Sequence, residues 1–322
     1  MARRNRGRDV HGIVLLNKPL GMSSNQALQV VKRIYNARKA GHTGALDPEA
    51  SGLLPICLGE ATKFSQLLLE SDKGYETTAH LGIVRSTGDN EGEIVSTRPV
   101  PELDDAAIEA VLERFRGDVE QVPPMFSALK FNGKPLYELA RQGMTAEEAT
   151  EIAERKRRVI RILELEKLDF RNGCELDLNV VCTKGTYIRT LVEDIGEAIG
   201  CGAYVSRLHR VLTGPYRGSQ MIGLDHLEAL FEAQDYAALD ALLMPMESAV
   251  PHWPFAELSW AQAQKVMLGQ ALNTSLDDAA SVQLWAAESG VRQFIGVGSI
   301  QKGRLQPTRL LNVALFDPVA PV

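Results

Sequence analysis

The chain lacks the short motifs by which many enzymes can be sorted. It has no His-Glu-x-x-His metal helix, no Gly-x-Ser-x-Gly nucleophile turn and no dinucleotide fingerprint, and Gly59-Glu60-Ala61-Thr62-Lys63 does not have the spacing of a phosphate loop. Cysteine is scarce. The four residues at 57, 174, 182 and 201 form no Cys-x-x-Cys pair, which excludes a zinc ribbon and reads as buried thiols in a reducing, cytoplasmic protein. Six scattered histidines support no metal site. No apolar run approaches the length of a membrane span. The basic start Met1-Ala2-Arg3-Arg4-Asn5-Arg6-Gly7-Arg8 has no apolar segment behind it, so it reads as a flexible arm over residues 1–9 and not as a secretory signal. Positive charge is in deficit overall, with a net charge of -6, which on average argues against a polyanionic partner.

Averages mislead where charge is segregated. Base gathers in 1–8, 29–39, 155–161 and 204–217, with Tyr35, Tyr204 and Tyr216 nearby. Such clusters would suit a nucleic-acid track on an acidic body, or solvated faces balanced by neighbouring acids. For 155–161, which follows an acidic stretch, the second reading is at least as good.

Local patterns predict the elements. Val10–Asn17 reads as a strand ending in a turn, and Ser23-Ser24-Asn25 caps a helix through Ile34 and Tyr35. Ala61–Leu69 reads as one helix, Tyr75–Val84 as a strand, and Asp104 starts a helix bearing Ile108, Val111, Leu112 and Phe115. Residues 157–170 and 174–183 flank the turn Arg171-Asn172-Gly173, a hairpin signal. A helix follows from Tyr187 and stops at Gly200, then comes a strand over Ala203–Leu212 and helical pattern over 224–243. Prolines 245, 251 and 254 mark a boundary, beyond which 281–285, 293–300 and 310–315 are strand-like. Hairpins interrupted by helices predict an α+β protein with a mixed, largely antiparallel sheet and a small β-rich C-terminal domain. The expected divisions are an arm at 1–9, a catalytic domain at 10–248 with an insertion at about 121–152, and a C-terminal domain at 249–322. Residues 121–143 mix apolar, aromatic and basic groups with little acid, a composition suited to stacking on bases or to a loop crossing the core.

The most informative stretch is Gly41-His42-Thr43-Gly44-Ala45-Leu46-Asp47-Pro48-Glu49-Ala50-Ser51-Gly52-Leu53-Leu54-Pro55. Its three glycines and two prolines argue against a regular helix or a central strand. It carries only Asp47 and Glu49 and then runs into apolar residues, so it is either a plain turn or a loop presenting one carboxylate. Two other dense features are Lys184-Gly185-Thr186-Tyr187-Ile188-Arg189-Thr190, at a strand-to-helix junction, and Ser71-Asp72-Lys73-Gly74-Tyr75, where an aromatic opens a strand. A carboxylate, an arginine to hold it in one geometry and aromatics to stack on a base, with no metal, would suit a base flipped out of RNA.

At these residues the chain resembles the bacterial TruB-type tRNA pseudouridine synthases. The resemblance is carried in order by Leu16–Ser24, by Gly41 through Lys63, by Asp72–Tyr75, by Pro124-Met125-Phe126-Ser127-Ala128-Leu129-Lys130 and by Lys184–Thr190. It implies a pseudouridine-synthase fold with a PUA-like C-terminal domain. It implies an isomerase that converts uridine 55 in the T-loop of tRNA to pseudouridine, without cofactor or metal. Asp47 matches the catalytic aspartate and Tyr75 the tyrosine that stacks on the target base. Arg189 matches the arginine paired with the aspartate, Tyr187 a tyrosine lining the pocket, His42 the histidine that stacks within the everted loop, and Leu208 an apolar pocket residue. The expected partner is tRNA, through its T-stem and T-loop, bound by a cytoplasmic monomer with no membrane association. Asn17 departs from the family's more frequent Asp at a structural position. The weighed alternative is an RNA-binding or RNA-folding protein in which catalysis is secondary. A nucleoside hydrolase is disfavoured, since such sites use a cluster of acids or a metal.

Overall fold

The computed structural model describes residues 7–125, 130–131, 134–136, 148 and 152–315. Most of the 121–143 segment and of the insertion expected at 121–152 lies outside them, as do residues 1–6 of the arm. Arg8 is held in place: its guanidinium pairs with Asp240 and lies 4.6 Å from the centre of the Tyr236 ring.

A ten-stranded mixed sheet organises the chain, in the order Ile222–Gly223, Gly12–Lys18, Ala50–Leu58, Ala203–Thr213, Lys73–Leu81, Glu175–Cys182, Arg158–Arg171 and Gly117–Gln121, with Ala40–His42 and Tyr216–Arg217 paired beside this path. Most neighbours are antiparallel. The exceptions are Ile222–Gly223 on Gly12–Lys18 and the central junction, where Leu208 lies beside Ala50 and Arg210 beside Gly52.

The expectation that glycine and proline keep Gly41–Pro55 out of a central strand is overturned. Ala50–Leu58 is a nine-residue strand with neighbours on both sides, and only Thr43–Glu49 is loop. Gly52 makes this possible. It takes φ +103, and a Cβ there would collide with the Arg210 backbone. Pro55 needs no N–H partner, and its carbonyl accepts from the Thr43 N–H at 3.2 Å.

Several other boundaries shift. Residues 59–69 divide into a 3₁₀ turn, Gly59–Lys63, and a short helix, Ser65–Leu69. The helical pattern over 224–243 breaks at Gln234, which has φ +57, into Leu224–Glu232 and Tyr236–Ala241. The last strand, Arg304–Leu310, stops where 310–315 was expected to begin one, and Val313–Leu315 is a 3₁₀ turn. The hairpin at 171–173 forms because Asn172 and Gly173 both accept positive φ, 54° and 69°, which the twist of a tight hairpin demands. Ser23 caps the helix Ser24–Ile34 in a reciprocal box with Gln26.

The pleat explains where the core sits. Val14, Leu16, Leu54 and Ile56 face one side with the helix Ser24–Ile34, while the alternate residues Ile13, Leu15, Leu53 and Cys57 face the other. On the first side a second cluster packs the helix Ile188–Ile199 onto Ala79, Leu178 and Val180. Tyr75 and Leu208 touch both clusters, so they lie at the seam between the two helical layers. On the second side Phe64 packs with Leu311 and with Phe294 and Val297 of a five-stranded C-terminal sheet, Phe255–Leu258, Ala279–Glu288, Val291–Gln301, Arg304–Leu310 and Leu272–Asn273.

The basic clusters keep exposed members in Arg33, Arg38, Lys39, Arg207 and Arg217, but the tyrosines expected beside them do not join a surface track. Tyr35, Tyr204 and Tyr216 are all buried, and the Tyr35 hydroxyl donates to the Leu239 carbonyl at 2.8 Å. Arg210 is buried as well. In 155–161 the balancing reading holds for Arg157, which meets Glu154 and Glu120, and for Arg161, which meets Asp118. Among the described residues no helix is long and apolar enough to cross a membrane.

Candidate active site

Asp47 stands in a loop that is fixed at almost every residue. The Gly44 N–H donates to His42 Nδ1 at 3.4 Å, the Leu46 N–H donates to Ser24 Oγ at 2.7 Å, and Ser24 Oγ donates back to the Leu46 carbonyl at 3.1 Å. The Ala50 N–H reaches the Asp47 carbonyl at 3.0 Å, and the Gly21 N–H reaches the Pro48 carbonyl at 2.9 Å. A loop held by this many backbone contacts keeps its one inward carboxylate in place before any ligand arrives.

The side chain of Asp47 is 47 % exposed, whereas that of its partner Arg189 is 6 % exposed. Arg189 Nη2 lies 3.0 Å from Asp47 Oδ2. Behind it, Nη1 donates to the Thr87 carbonyl at 2.9 Å and lies 3.5 Å from Asp89 Oδ2. Asp89 is itself held, accepting from Thr87 Oγ1 at 2.5 Å and from the Glu91 N–H at 3.1 Å. The arginine is thus fixed from the protein side and offers its outer edge to Asp47. Asp89 was not singled out in the sequence. The only signal was an acid beside a glycine in Thr87-Gly88-Asp89, which resembles any polar turn.

These groups border a cavity of about 310 Å³ that Asp47, Tyr75, Tyr187, Arg189 and Leu208 line together with Leu46, Lys73, Cys182, Ile188 and Arg210. That volume lies at the small end of ligand pockets and suits one nucleoside better than an oligonucleotide. Five of the six expected residues therefore meet in one place. His42 does not line the cavity. It ends the strand Ala40–His42 and accepts from the Gly44 N–H at the start of the Asp47 loop.

Arg210, which the sequence placed in a surface cluster, forms part of the floor. It donates from Nε to the Leu53 carbonyl at 2.7 Å and from Nη2 to the Gly44 carbonyl at 3.1 Å, and it adjoins the Tyr75 hydroxyl. Two buried lysines share this region. Lys18 Nζ donates to the carbonyls of Pro19 and Met22, at 2.9 and 2.6 Å, and Lys73 Nζ donates to those of Leu68 and Leu69, at 3.0 and 2.8 Å. Burial lowers both ammonium groups to about 8, with Arg210 pushing the same way and nearby acids opposing. Burial also raises the Tyr75 hydroxyl, so it faces the cavity as a neutral phenol. The Cys57 and Cys182 thiols are pushed up to about 12 by burial, in keeping with inert core cysteines.

His42 is held below its ordinary 6.5 by burial, and the Arg210 charge adds to the effect. The unfolded chain takes up the proton at the ordinary value, so below pH 6.5 the unfolded state binds more protons than the native one. The contribution is fully present above pH 6.5 and is lost as pH falls towards the lower native value. In urea titrations at pH 7.5 and 5.5, the wild type should lose more stability on acidification than His42→Gln. Equal losses would locate the effect elsewhere.

Known proteins place this arrangement in a family. Residues 32–188 match the N-terminal domain of the TruB family pseudouridylate synthases. Residues 189–251 match the tRNA pseudouridylate synthase B C-terminal domain, and 254–311 match the C-terminal region described as pseudouridine synthase II TruB. A tRNA pseudouridine synthase B of Marinomonas sp. is 50% identical over 312 residues, covering 96% of this chain and 98% of the relative. One from Aeromonas salmonicida is 51% identical over 317 residues, covering 96% of each. One from Coxiella burnetii is 48% identical over 306 residues, covering 95% of this chain and 96% of the relative. Among solved structures, a chain of a Cbf5-Nop10-Gar1 complex superposes with a TM-score of 0.68 at 25% identity, over 93% of this chain and 84% of that one. A chain of an H/ACA RNP bound to a substrate RNA containing 2'-deoxyuridine superposes with a TM-score of 0.69 at 22% identity, over 97% of this chain and 91% of that one, a likeness of fold. With an α+β catalytic sheet, a β-rich C-terminal sheet and relatives of this closeness over nearly its whole length, the chain belongs to the TruB family of pseudouridylate synthases, which are isomerases.

Proposed function

We propose that this protein converts uridine 55 in the T-loop of tRNA to pseudouridine, with Asp47 as the catalytic carboxylate. The observation that carries the reading is the Asp47–Arg189 pair, 3.0 Å apart at the rim of a cavity lined by Tyr75 and Leu208. The relatives named tRNA pseudouridine synthase B support tRNA as the substrate.

The reaction is an isomerisation. The N1–C1′ bond breaks, the uracil turns, C5 bonds to C1′, the C5 hydrogen leaves as a proton, and N1 gains one. No group is donated and nothing is oxidised. The half-exposed Asp47 acts at the ribose, by addition to the sugar or by assisting elimination from it. Tyr75 and Leu208 sandwich the everted base, and the Tyr75 phenol is placed for proton transfer. Tyr187 lines the wall. His42, outside the cavity and near its entrance loop, stacks in the gap the base leaves, which offsets the few kcal/mol of unstacking. The cavity keeps the freed uracil from water while it turns. The expected domain division, a catalytic part to residue 248 and a PUA-like part from 249, belongs to this reading. So does a role in RNA binding for the 121–152 insertion.

Wild-type protein incubated with tRNA carrying tritium at uridine C5 should release one tritium per tRNA. A transcript with cytidine at position 55 should release none. Equal release from both would move the target away from position 55, and no release from either would remove the enzyme reading.

Arg189→Lys keeps the charge but loses the fork that spans Asp47, Asp89 and the Thr87 carbonyl. The single-turnover rate should fall about 10- to 100-fold, with tRNA affinity changed less than about 3-fold. A rate within about 2-fold of wild type would show that charge alone suffices.

A further inference from the structure

The helix that brings Arg189 to Asp47 starts without a cap of its own. Tyr187 is its N-cap residue and makes no side-chain capping bond. Helix starts leave backbone N–H groups in need of partners, and a start without them frays. Here the partner comes from the far edge of the sheet. Gln121 is the last residue of the strand Gly117–Gln121 and is 2 % exposed. Its Oε1 accepts from the Tyr187 N–H at 2.7 Å, and its Nε2 donates to the Tyr187 carbonyl at 3.0 Å. The side-chain amide thus pairs with one backbone residue as a neighbouring strand would.

A second residue acts at the same place. Arg158 is the cross-strand partner of Gln121. Its guanidinium lies 5.3 Å from the centre of the Tyr187 ring, and its Nη2 donates to the Gly185 carbonyl. Two adjacent strand ends therefore hold the backbone of Tyr187, its ring and the turn before it. Tyr187 lines the cavity, and Arg189 follows two residues later.

We propose that Gln121 is a positioning residue of this synthase: its amide fixes the backbone of Tyr187 and so sets where the helix start delivers Arg189 to Asp47. The inference rests on the reading of the site given above. Gln121 touches neither Asp47 nor the cavity and acts through Tyr187. A buried amide could have been satisfied by any local carbonyl. This one spends both of its ends on the single residue that joins the cavity wall to the catalytic helix.

Two variants of the full-length protein test this. Gln121→Met keeps the length and loses both bonds. Gln121→Glu keeps the acceptor for the Tyr187 N–H, but when ionised it sets a carboxylate against the Tyr187 carbonyl, and protonation restores the donor. Burial raises that carboxyl's pKa and the guanidinium of the cross-strand Arg158 opposes it, so the pH ratio is read in Gln121→Glu both alone and with Arg158→Gln. Gln121→Met should lower the single-turnover tritium-release rate at saturating tRNA about 10- to 100-fold, with tRNA affinity within about 2-fold of wild type. The rate of Gln121→Glu relative to wild type should rise as pH is lowered from 8 to 6, while that of Gln121→Met stays flat. A merely structural residue would change the folded fraction and the melting temperature alike in both variants, with no such pH signature.

Hydrogen exchange of the peptide spanning 184–191 gives a readout that needs no activity. Exchange should speed up in Gln121→Met. A Gln121→Met rate within about 2-fold of wild type, unchanged exchange at 184–191, or a flat pH ratio for Gln121→Glu with Arg158→Gln would each overturn the inference. If wild type itself releases no tritium, the functional reading fails, and the exchange result alone still decides whether Gln121 holds Tyr187.

Discussion

Asp47→Asn should bind tRNA within about 3-fold of wild type and release tritium at least about 10³-fold more slowly. The two side chains have nearly the same shape. The loop that carries Asp47 is held by Ser24, His42, Gly21 and Arg210 through backbone atoms that the substitution leaves untouched. Position is preserved and only the charge is lost. Asparagine can still accept a hydrogen bond from Arg189 Nη2, yet it can neither add to a ribose carbon as an anion nor balance developing positive charge there. The check is single-turnover tritium release beside filter binding on the same preparation. Residual activity above about a tenth of wild type would remove Asp47 from its role, and a parallel loss of binding would mean the loop had moved.

Arg210→Met should cost about 2–4 kcal/mol of stability in urea denaturation. Methionine fills much of the same space, but the Leu53 carbonyl loses its donor in a buried site and the Gly44 carbonyl loses one at the half-buried edge of the cavity. A stranded buried carbonyl such as that of Leu53 costs about 1–3 kcal/mol, the half-buried Gly44 carbonyl costs less, and relief of the buried charge is set against the lost packing of the guanidinium. The loss should not remain local. Leu53 and Gly44 lie on either side of Asp47 in the chain, so activity should fall even under conditions where the variant is fully folded. A stability change below about 1 kcal/mol would mean that water or rearrangement replaces the guanidinium without penalty.

How much of this could be read from residues alone differs from feature to feature. Ser23 as a cap and Asn172-Gly173 as a hairpin turn were legible because the relevant physics lies within a few residues of sequence. So was the stop at Gly200, which takes φ +98. The strand Ala50–Leu58 was not legible. Gly52 reads locally as a strand breaker, and it is tolerated because the Arg210 backbone, some 158 positions away, needs the space a side chain would fill. Arg210 and the three tyrosines were misplaced for a related reason. Composition records that a cation stands near aromatics, but whether the group meets water depends on packing between distant segments. The site residues came from motif resemblance, and the geometry then brought Asp47, Tyr75, Tyr187, Arg189 and Leu208 to one cavity. Gln121 and Asp89 carry no motif of their own. Each matters through a backbone group or an arginine that only the folded chain brings near.

The back of the catalytic sheet bears on modularity. Ile13, Leu15, Leu53 and Cys57 lie beneath the active-site strands, and the Phe294 ring, 5.6 Å from Phe64, closes the same cluster from the C-terminal sheet. The two sheets therefore share a core and do not simply share a linker. A chain shortened before this sheet would uncover apolar surface on the back of strands Gly12–Lys18 and Ala50–Leu58, so the C-terminal sheet is part of what buries the larger one. A change of side-chain volume at Phe294 or Val297 would therefore be felt at Phe64 and Leu53, on the larger sheet's side of the same cluster.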